Sequence, residues 1–315
     1  MSMRAAGNQR KRVEMDTAIS KTSHEDAWNT VREVQLRCIG LQRVFDRFCR
    51  ENGLLYYVCG GGCIGAVRHQ GFIPWDDDID VMMPRPDFEK LKKLWPEQMK
   101  DGRYVFCDNT ETMYLRTMWA SVCDEETTFI KERQKDLDIS QGIKLEIIPL
   151  DGCPGNRLAR RMQMFWALIR QIYINQEPPV SKGFAAETVG KLLLKLHRDW
   201  KSRYRAAMRC EKRMSRYPFE TAEKVTELTT RFRYMRNEYP KEAFQSAVYL
   251  PFEDGEIPVP AGYDTYLKMA FGDYMQLPPE EERQPKHETV FIDTNNSYRK
   301  YKGIYYCTED HKEKQ

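Results

Sequence analysis

The chain lacks any apolar run of the roughly eighteen residues that a membrane-spanning helix needs. Its most apolar helical stretch, Met162 to Ile174, is interrupted by Arg170, so a spanning protein is not expected. The N-terminus carries Arg4, Arg10, Lys11 and Arg12 with no apolar segment behind them, and no secretory signal peptide is read there. Nine cysteines are scattered without a Cys-x-x-Cys pair or an accompanying histidine cluster. That pattern argues against a disulfide framework or a zinc site and points to reduced thiols in the cytoplasm. A large excess of one charge is missing as well: 50 Lys+Arg against 47 Asp+Glu leave a formal +3 at pH 7. So even a balance does not suggest nucleic-acid binding. Internal repeats are absent too.

A hydrophobic content of 41% over 315 residues is enough for a substantial core. Residues 1–24 read as a charged, disordered leader. From Asp26, Val31, Val34, Leu41, Val44, Phe45 and Phe48 recur at helical spacing until Gly53. Strands are expected at Leu54–Val58, Ile79–Met83, Tyr104–Cys107, Thr117–Cys123 and Ile143–Leu150, with a glycine turn at Gly60–Gly62 and a short helix to His69. Helices are expected at Asp87–Met99, Asn156–Asn175, Ala185–Arg216 and Tyr263–Phe271, with a β pair at Val248–Pro251 and Glu256–Pro260. The fold class is α+β. A core over 25–152 carries a mixed sheet flanked by helices, a mainly helical region follows over 153–290, and 291–315 is a polar tail. Basic residues crowd the stretch from Arg157 to Arg216, either as a solvated helical face or as a surface for an anionic membrane or a phosphate-rich substrate.

The densest chemical signal is the run from Tyr57 to Arg85. A glycine cluster, Gly60–Gly62, precedes Arg68 and His69. Then Gly-Phe-Ile-Pro-Trp leads into Asp76, Asp77, Asp78 and Asp80 among apolar residues. Two like charges about 4 Å apart cost roughly 4 kcal/mol at an effective dielectric near 20, so such a cluster needs a cation. Strand parity puts Asp78 and Asp80 on one face, with Asp76 as an outer partner and Asp77 turned the other way. Glu146, set between Leu145 and Ile147, is the candidate third carboxylate or general base. Hard divalent cations such as Mg²⁺ or Mn²⁺ take this kind of oxygen set together with substrate phosphates. The glycines let backbone N–H groups approach phosphate, and the following helix points its N-terminus at the same place. Arg68 could clamp phosphate oxygens. Arg85 could do the same or cap the strand end. His69 is a phosphate donor, a proton shuttle or a structural histidine. Trp75 either stacks on a base or packs in the core.

These residues resemble a known family. The stretch from Gly60 to Leu91, GGGCIGAVRHQGFIPWDDDIDVMMPRPDFEKL, is similar to the signature of the LicD family and its fukutin-type relatives, in the nucleotidyltransferase-fold superfamily. Leu145–Gly152 and Phe252–Pro279, followed by His287, resemble two further blocks of that family in the same order. Gly62 and Cys63 depart from the Thr and Leu of the usual pattern. The resemblance implies that Asp78, Asp80 and Glu146 hold the metal and that His287 lies near substrate. It also implies transfer of a phospho-alcohol, phosphocholine by default, from a CDP-linked donor to a hydroxyl of a cell-surface glycan or teichoic acid. CMP would leave. Fukutin-type relatives use CDP-ribitol. The helical insert Asn156–Tyr239 is where acceptor recognition is expected, at the cytoplasmic side of a membrane if the acceptor is lipid-linked. Two other readings stay open: nucleotidyl transfer onto a small molecule or protein, and a non-catalytic glycan- or phosphate-binding scaffold.

Overall fold

The computed structural model describes residues 24–178, 184–284 and 289–308. The expected leader, up to residue 23, and His287 lie outside the described residues. In chain order the elements are α1 (His24–Glu51), β1 (Tyr57–Val58), α2 (Gly60–His69), β2 (Asp80–Pro84), α3 (Arg85–Gln98), β3 (Tyr104–Cys107), β4 (Ala120–Asp124), β5 (Thr128–Lys131) and β6 (Ile143–Gly152). Then follow α4 (Arg157–Asn175), α5 (Phe184–Leu196), α6 (Trp200–Met214), β7 (Lys224–Thr226), α7 (Phe232–Met235), β8 (Tyr239–Pro240), β9 (Ala247–Phe252), β10 (Gly255–Pro260), α8 (Tyr263–Phe271) and β11 (Thr289–Asp293).

The fold is α+β. A mixed sheet runs in the order β1-β2-β6-β4-β3, and β7 and β8 continue from the far end of β6. β2 and β6 are parallel, with Asp80 opposite Glu146. β4 is antiparallel to β6, with Ser121 also opposite Glu146. β6 shows why it forms a strand there: Ile143, Leu145 and Ile147 are buried on one parity, while Lys144 and Glu146 on the other are half-buried. Val81, Met82 and Met83 of β2 are all buried, as expected of a strand covered on both faces.

α1 anchors the core through Val34, Cys38, Leu41, Phe45 and Phe48, a 3.6-residue stripe that meets Trp95 of α3. The Trp95 ring centroid lies 5.8 Å from Phe45 and 4.5 Å from Phe48. Each such side chain contributes roughly 1.5–3 kcal/mol on burial. The two-stranded unit of β9 and β10 and the helix α8 close over β1 and α2.

Three expectations are corrected. The glycines do not form a separate turn; they are the first turn of α2, which begins at Gly60. The single helix expected over Ala185–Arg216 is two, because Asp199 caps a new start by accepting from the backbone N–H of Ser202 at 2.9 Å. The stretch read as a polar tail supplies β11, which pairs with β5. It also supplies Tyr298, Tyr301, Tyr305 and Tyr306, which pack on Ile130.

The basic stretch is not one solvated face either. Arg160 is buried, donating to Gln163 Oε1 at 2.8 Å and Thr226 Oγ1 at 2.9 Å. Arg170 is buried against Glu211 at 2.7 Å. Among the described residues no helix is long and apolar enough to cross a membrane.

Arg85, a candidate phosphate ligand by sequence, sits at the opposite end of β2 from Asp80. Its Nε and Nη2 each donate to Asp151 at 2.8 Å, and Nη1 donates to Glu211 at 2.9 Å. Burial acts against the charged forms here, yet Arg170 and Arg85 outweigh it and hold the Glu211 carboxyl down to about 2. The network joins the sheet to α6. Arg85→Leu is expected to lower stability by about 3–5 kcal/mol, since it strands Asp151 as a buried, unpaired charge. A urea midpoint that falls at unchanged m measures this. A variant of native stability would contradict the structural role.

Candidate active site

The aspartate run is not strand up to Asp80; β2 begins there, and residues 76–79 form an irregular approach. α1 shapes that approach. Gln35 donates through Nε2 to the carbonyl of Asp76 at 2.8 Å, and the Cys38 thiol lies 3.6 Å from the carbonyl of Asp77. The consequence is a correction to the parity argument. Asp77 does not turn away: carboxylate oxygens of Asp76, Asp77 and Asp78 lie within 4.8 Å of one another. Asp80 and Glu146, as register partners, project from the same face of the sheet.

The glycines fit this arrangement sterically. Gly60 has φ +56, a left-handed conformation that glycine adopts without strain. A Cβ on Gly61 would lie 1.9 Å from Asp76 Oδ2. No other residue fits at Gly61 while Asp76 stays in place. The Gly60 N–H donates to the Tyr266 hydroxyl at 3.1 Å, tying α2 to α8.

Sequence reasoning missed two lysines. β5 is held beside β6 by the Phe129 N–H to the Gln141 carbonyl at 2.6 Å and the Ile143 N–H to Thr127 Oγ1 at 2.9 Å. This brings Lys131 to 3.7 Å from Glu146 Oε1, and Lys144 reaches the same oxygen at 3.7 Å. Lys144 also donates to Gln134 at 3.1 Å. A cavity of about 10 Å³ between the groups is lined by Asp77, Asp78, Lys131 and Lys144. Burial works against the Lys131 charge, but Glu146, Asp78, Asp80 and Asp77 raise its pKa overall. Burial lowers that of Lys144, and the charge of Lys131 adds to the effect. Lys144 was legible in principle, being two residues from Glu146 on one strand face. Lys131 was not, because its partner is distant in sequence.

Burial pushes the Asp80 carboxyl well above the ordinary carboxylate range, and the charges of Asp78 and Glu146 push the same way. Its Oδ1 is buried and has no hydrogen-bond partner. Glu146, Asp78, Asp80 and Asp77 therefore act on the Lys131 ammonium, Lys144 stands beside Glu146, and one carboxylate oxygen is unsatisfied. That donor set of hard oxygens fits a divalent cation at Asp76, Asp77 and Asp78, with Asp80 and Glu146 adjoining in one register row.

A cleft of about 650 Å³ opens beside Glu146. Lys131, Lys144, Arg133 and Arg231 line it with Arg116 and Trp119, against Glu146 and Glu177. Arg116 is itself paired with Asp136 at 2.8 Å. The excess is cationic, which suits a phosphate-bearing ligand.

Other expected site residues lie elsewhere. Arg68 is seven residues along α2 from Gly61, about 10 Å of helix rise. Its Nη1 donates to the carbonyls of Tyr274 and Gln276 at 2.7 and 3.1 Å. It docks the segment after α8 and is not assembled with the carboxylates. His69 lies beside it, its pKa lowered by burial and by the Arg68 charge. Trp75 is half-buried and packs on the main core.

With this geometry in place, residues 53–140 match the family model LicD/FKTN/FKRP, nucleotidyltransferase domain. Over 267 residues the chain is 28% identical to the lipopolysaccharide cholinephosphotransferase LicD of Haemophilus influenzae, covering 82% of this chain and 96% of that protein. Both matches support a LicD-family transferase. A shorter match, 40% identical over 67 residues, joins it to an uncharacterized protein of Rickettsia prowazekii, covering 21% of this chain and 25% of that protein. Mannosyltransferase regulator 4 of Saccharomyces cerevisiae is 24% identical over 129 residues, 39% of this chain and 10% of that protein. The matched LicD domain takes in the glycine turn, the aspartates and Lys131. Glu146 and Lys144 fall just beyond it, on β6.

A further buried acid lies near Cys59, just before the first turn of α2. Glu227, which follows β7, is buried and accepts from the Tyr239 hydroxyl at 2.5 Å. Burial raises its carboxyl from the ordinary 4.5 to about 7, with the hydrogen bonds of Tyr239 and Thr230 opposing. An acid whose folded pKa is raised binds its proton longer in the folded state. Its contribution is complete below pH 4.5 and is lost as pH rises through 7. The loss should amount to about 3 kcal/mol. Denaturation of wild type and Glu227→Gln from pH 4 to 8 measures it: the difference between them should shift in that window, and parallel pH profiles would overturn the assignment.

Proposed function

We propose that this chain transfers a phospho-alcohol, phosphocholine by default, from a CDP-linked donor to a hydroxyl of a cell-surface glycan, and releases CMP. The observation that carries this reading is the row in which Asp80 and Glu146 face one another across parallel strands. At one end of that row stand the glycine turn and Asp76–Asp78, and at the other a cationic cleft. The Haemophilus relative, named for lipopolysaccharide and choline phosphate, supports lipopolysaccharide as the acceptor class. Teichoic acid is the alternative glycan.

The residues divide the work as follows. Asp76, Asp77 and Asp78, with Asp80 beside them, would hold a Mg²⁺ or Mn²⁺ ion. When bound, that ion supplies neutralising charge at the phosphates and polarises the phosphoryl oxygens. Lys131, Lys144, Arg133 and Arg231 orient the diphosphate of the donor and stabilise negative charge on it. Trp119, beside them, offers a face for the base. Glu146 receives the proton of the acceptor hydroxyl as its oxygen bonds to the β-phosphorus. The bond from that phosphorus to the bridging oxygen breaks, and CMP departs with that oxygen.

Asp78→Asn and Asp80→Asn are each expected to reduce turnover at least a thousandfold while the far-UV spectrum stays as in wild type and the melting temperature does not fall. Chelation should do the same to wild type. The readout is CMP release from a panel of CDP-linked donors with and without deacylated surface glycan. Release of pyrophosphate from nucleoside triphosphates instead would favour nucleotidyl transfer, the alternative that the family's nucleotidyltransferase fold keeps open. Full activity of either Asn variant would sink the proposal.

Contact with an anionic membrane surface belongs to the same proposal. Leu158, Met162 and Phe165 are exposed along one face of α4, beside exposed Arg157 and Arg161. This pairing of apolar and basic groups suits a headgroup layer, where lipid-linked acceptors are found. Flotation with vesicles rich in phosphatidylglycerol is expected for wild type and reduced by at least half in a variant carrying Leu158→Ser and Phe165→Ser. Equal flotation of the two would count against it.

A further inference from the structure

A second cleft, of about 830 Å³, shares no lining residue with the first, though Leu115 lines the one and Arg116 the other. Its chemistry differs from that of the first. The charged groups in its lining are matched in pairs: Lys92 with Asp108 at 2.7 Å, Lys302 with Asp138 at 2.5 Å, and Arg299 with Glu125. Matched charges leave little field to draw in an anion, so the cleft suits an uncharged ligand.

One atom in it asks for a partner. Glu125 is 4% exposed. Its Oε2 accepts from the Tyr298 hydroxyl at 2.7 Å and from Arg299. Its Oε1 is buried and has no hydrogen-bond partner. A buried carboxylate oxygen left without a donor costs about 1–3 kcal/mol, and the group lines this cleft. Phe106 and the tyrosines Tyr204, Tyr298 and Tyr306 stand around it, offering apolar ring faces beside that acceptor. A ligand with many O–H donors on an otherwise apolar ring answers both features.

The two clefts are joined by the sheet. Glu146, Ser121 and Cys107 occupy one register row across β6, β4 and β3. Glu146 lines the first cleft and Cys107 the second. Two strand spacings, roughly 10 Å, separate them. That is about the reach of two linked sugar rings.

We infer that the second cleft is a binding site for an uncharged sugar of the acceptor glycan, with Glu125 Oε1 accepting from its hydroxyls and Tyr204 packing against its ring. This rests on the reading of the acceptor as a glycan. It divides substrate recognition in two: the cationic cleft holds the phosphates, and the neutral cleft holds a sugar set back from the reacting hydroxyl. Longer acceptors should then bind better than monosaccharides.

The test uses the full chain with lactose and galactose as uncharged probes, read by saturation-transfer NMR and calorimetry. Wild type should bind lactose, and adding CDP-choline should leave that binding in place. Glu125→Gln and Tyr204→Ala should each weaken lactose binding at least fivefold while keeping the wild-type melting temperature. Both should retain metal-dependent CMP release measured without acceptor. Absence of sugar binding to wild type would overturn the inference, as would lactose affinity unchanged in both variants or displacement of lactose by CDP-choline. Failure of CMP release in wild type would instead overturn the proposed reaction, and sugar binding would still decide the cleft.

Discussion

Carboxylate repulsion governs this molecule more than any other single interaction. Asp76, Asp77 and Asp78 crowd within 4.8 Å of one another, and Asp80 and Glu146 stand beside them in one register row. Ionised together, such groups oppose folding by several kcal/mol per close pair. The fold brings two lysines from two different strands to the same place, and the Asp80 carboxyl is driven toward its protonated form. Neither device satisfies the buried Oδ1 of Asp80. The cluster is thus under electrostatic load, which is typical of sites built to bind a cation or a reacting phosphate.

The surroundings exist to hold that load in place. α1 is the longest helix described, and it does more than fill the core: Gln35 and Cys38 reach the carbonyls of Asp76 and Asp77 and fix the irregular approach to β2. Gly61 leaves room for the Asp76 carboxylate against the first turn of α2. Tyr266 fastens that turn from the C-terminal side, and Arg68 fastens the segment after α8 to the end of the same helix. A second buried network, Arg85 with Asp151 and Glu211, does comparable work at the far end of β2, where it ties the sheet to α6. Charged groups that look alike in sequence therefore serve opposite purposes, one poised for ligand and the other paired within the protein.

The contrast between the two clefts follows the same logic. Beside Glu146 the lining carries unmatched cations, and a phosphate-bearing ligand completes it. In the second cleft every cation has an acid, and what remains unmet is a buried acceptor. Charge balance, more than volume, separates what each can take. Both clefts depend on parts that do not adjoin in the chain, the second drawing on β3, α6 and the tyrosines after β11.

The sequence by itself determined the local chemistry. Acids embedded in an apolar run can be read without a structure, because hydrophobic neighbours are a local property; so Asp78, Asp80 and Glu146 stood out as candidates. The α+β class, most strands and the helix ending at His69 were visible for the same reason. Tertiary structure decided what local pattern could not. Asp77 joined the cluster because the chain before β2 is held by α1 and does not follow strand parity. Lys131 became the partner of Glu146 only through the placement of β5 beside β6. Arg85 and Arg160 were claimed by acids and carbonyls from distant segments, and Arg68 by the turn after α8. A side chain's chemistry is written in its residue type, but its partner is set by packing, and long-range packing leaves no periodic trace in the chain.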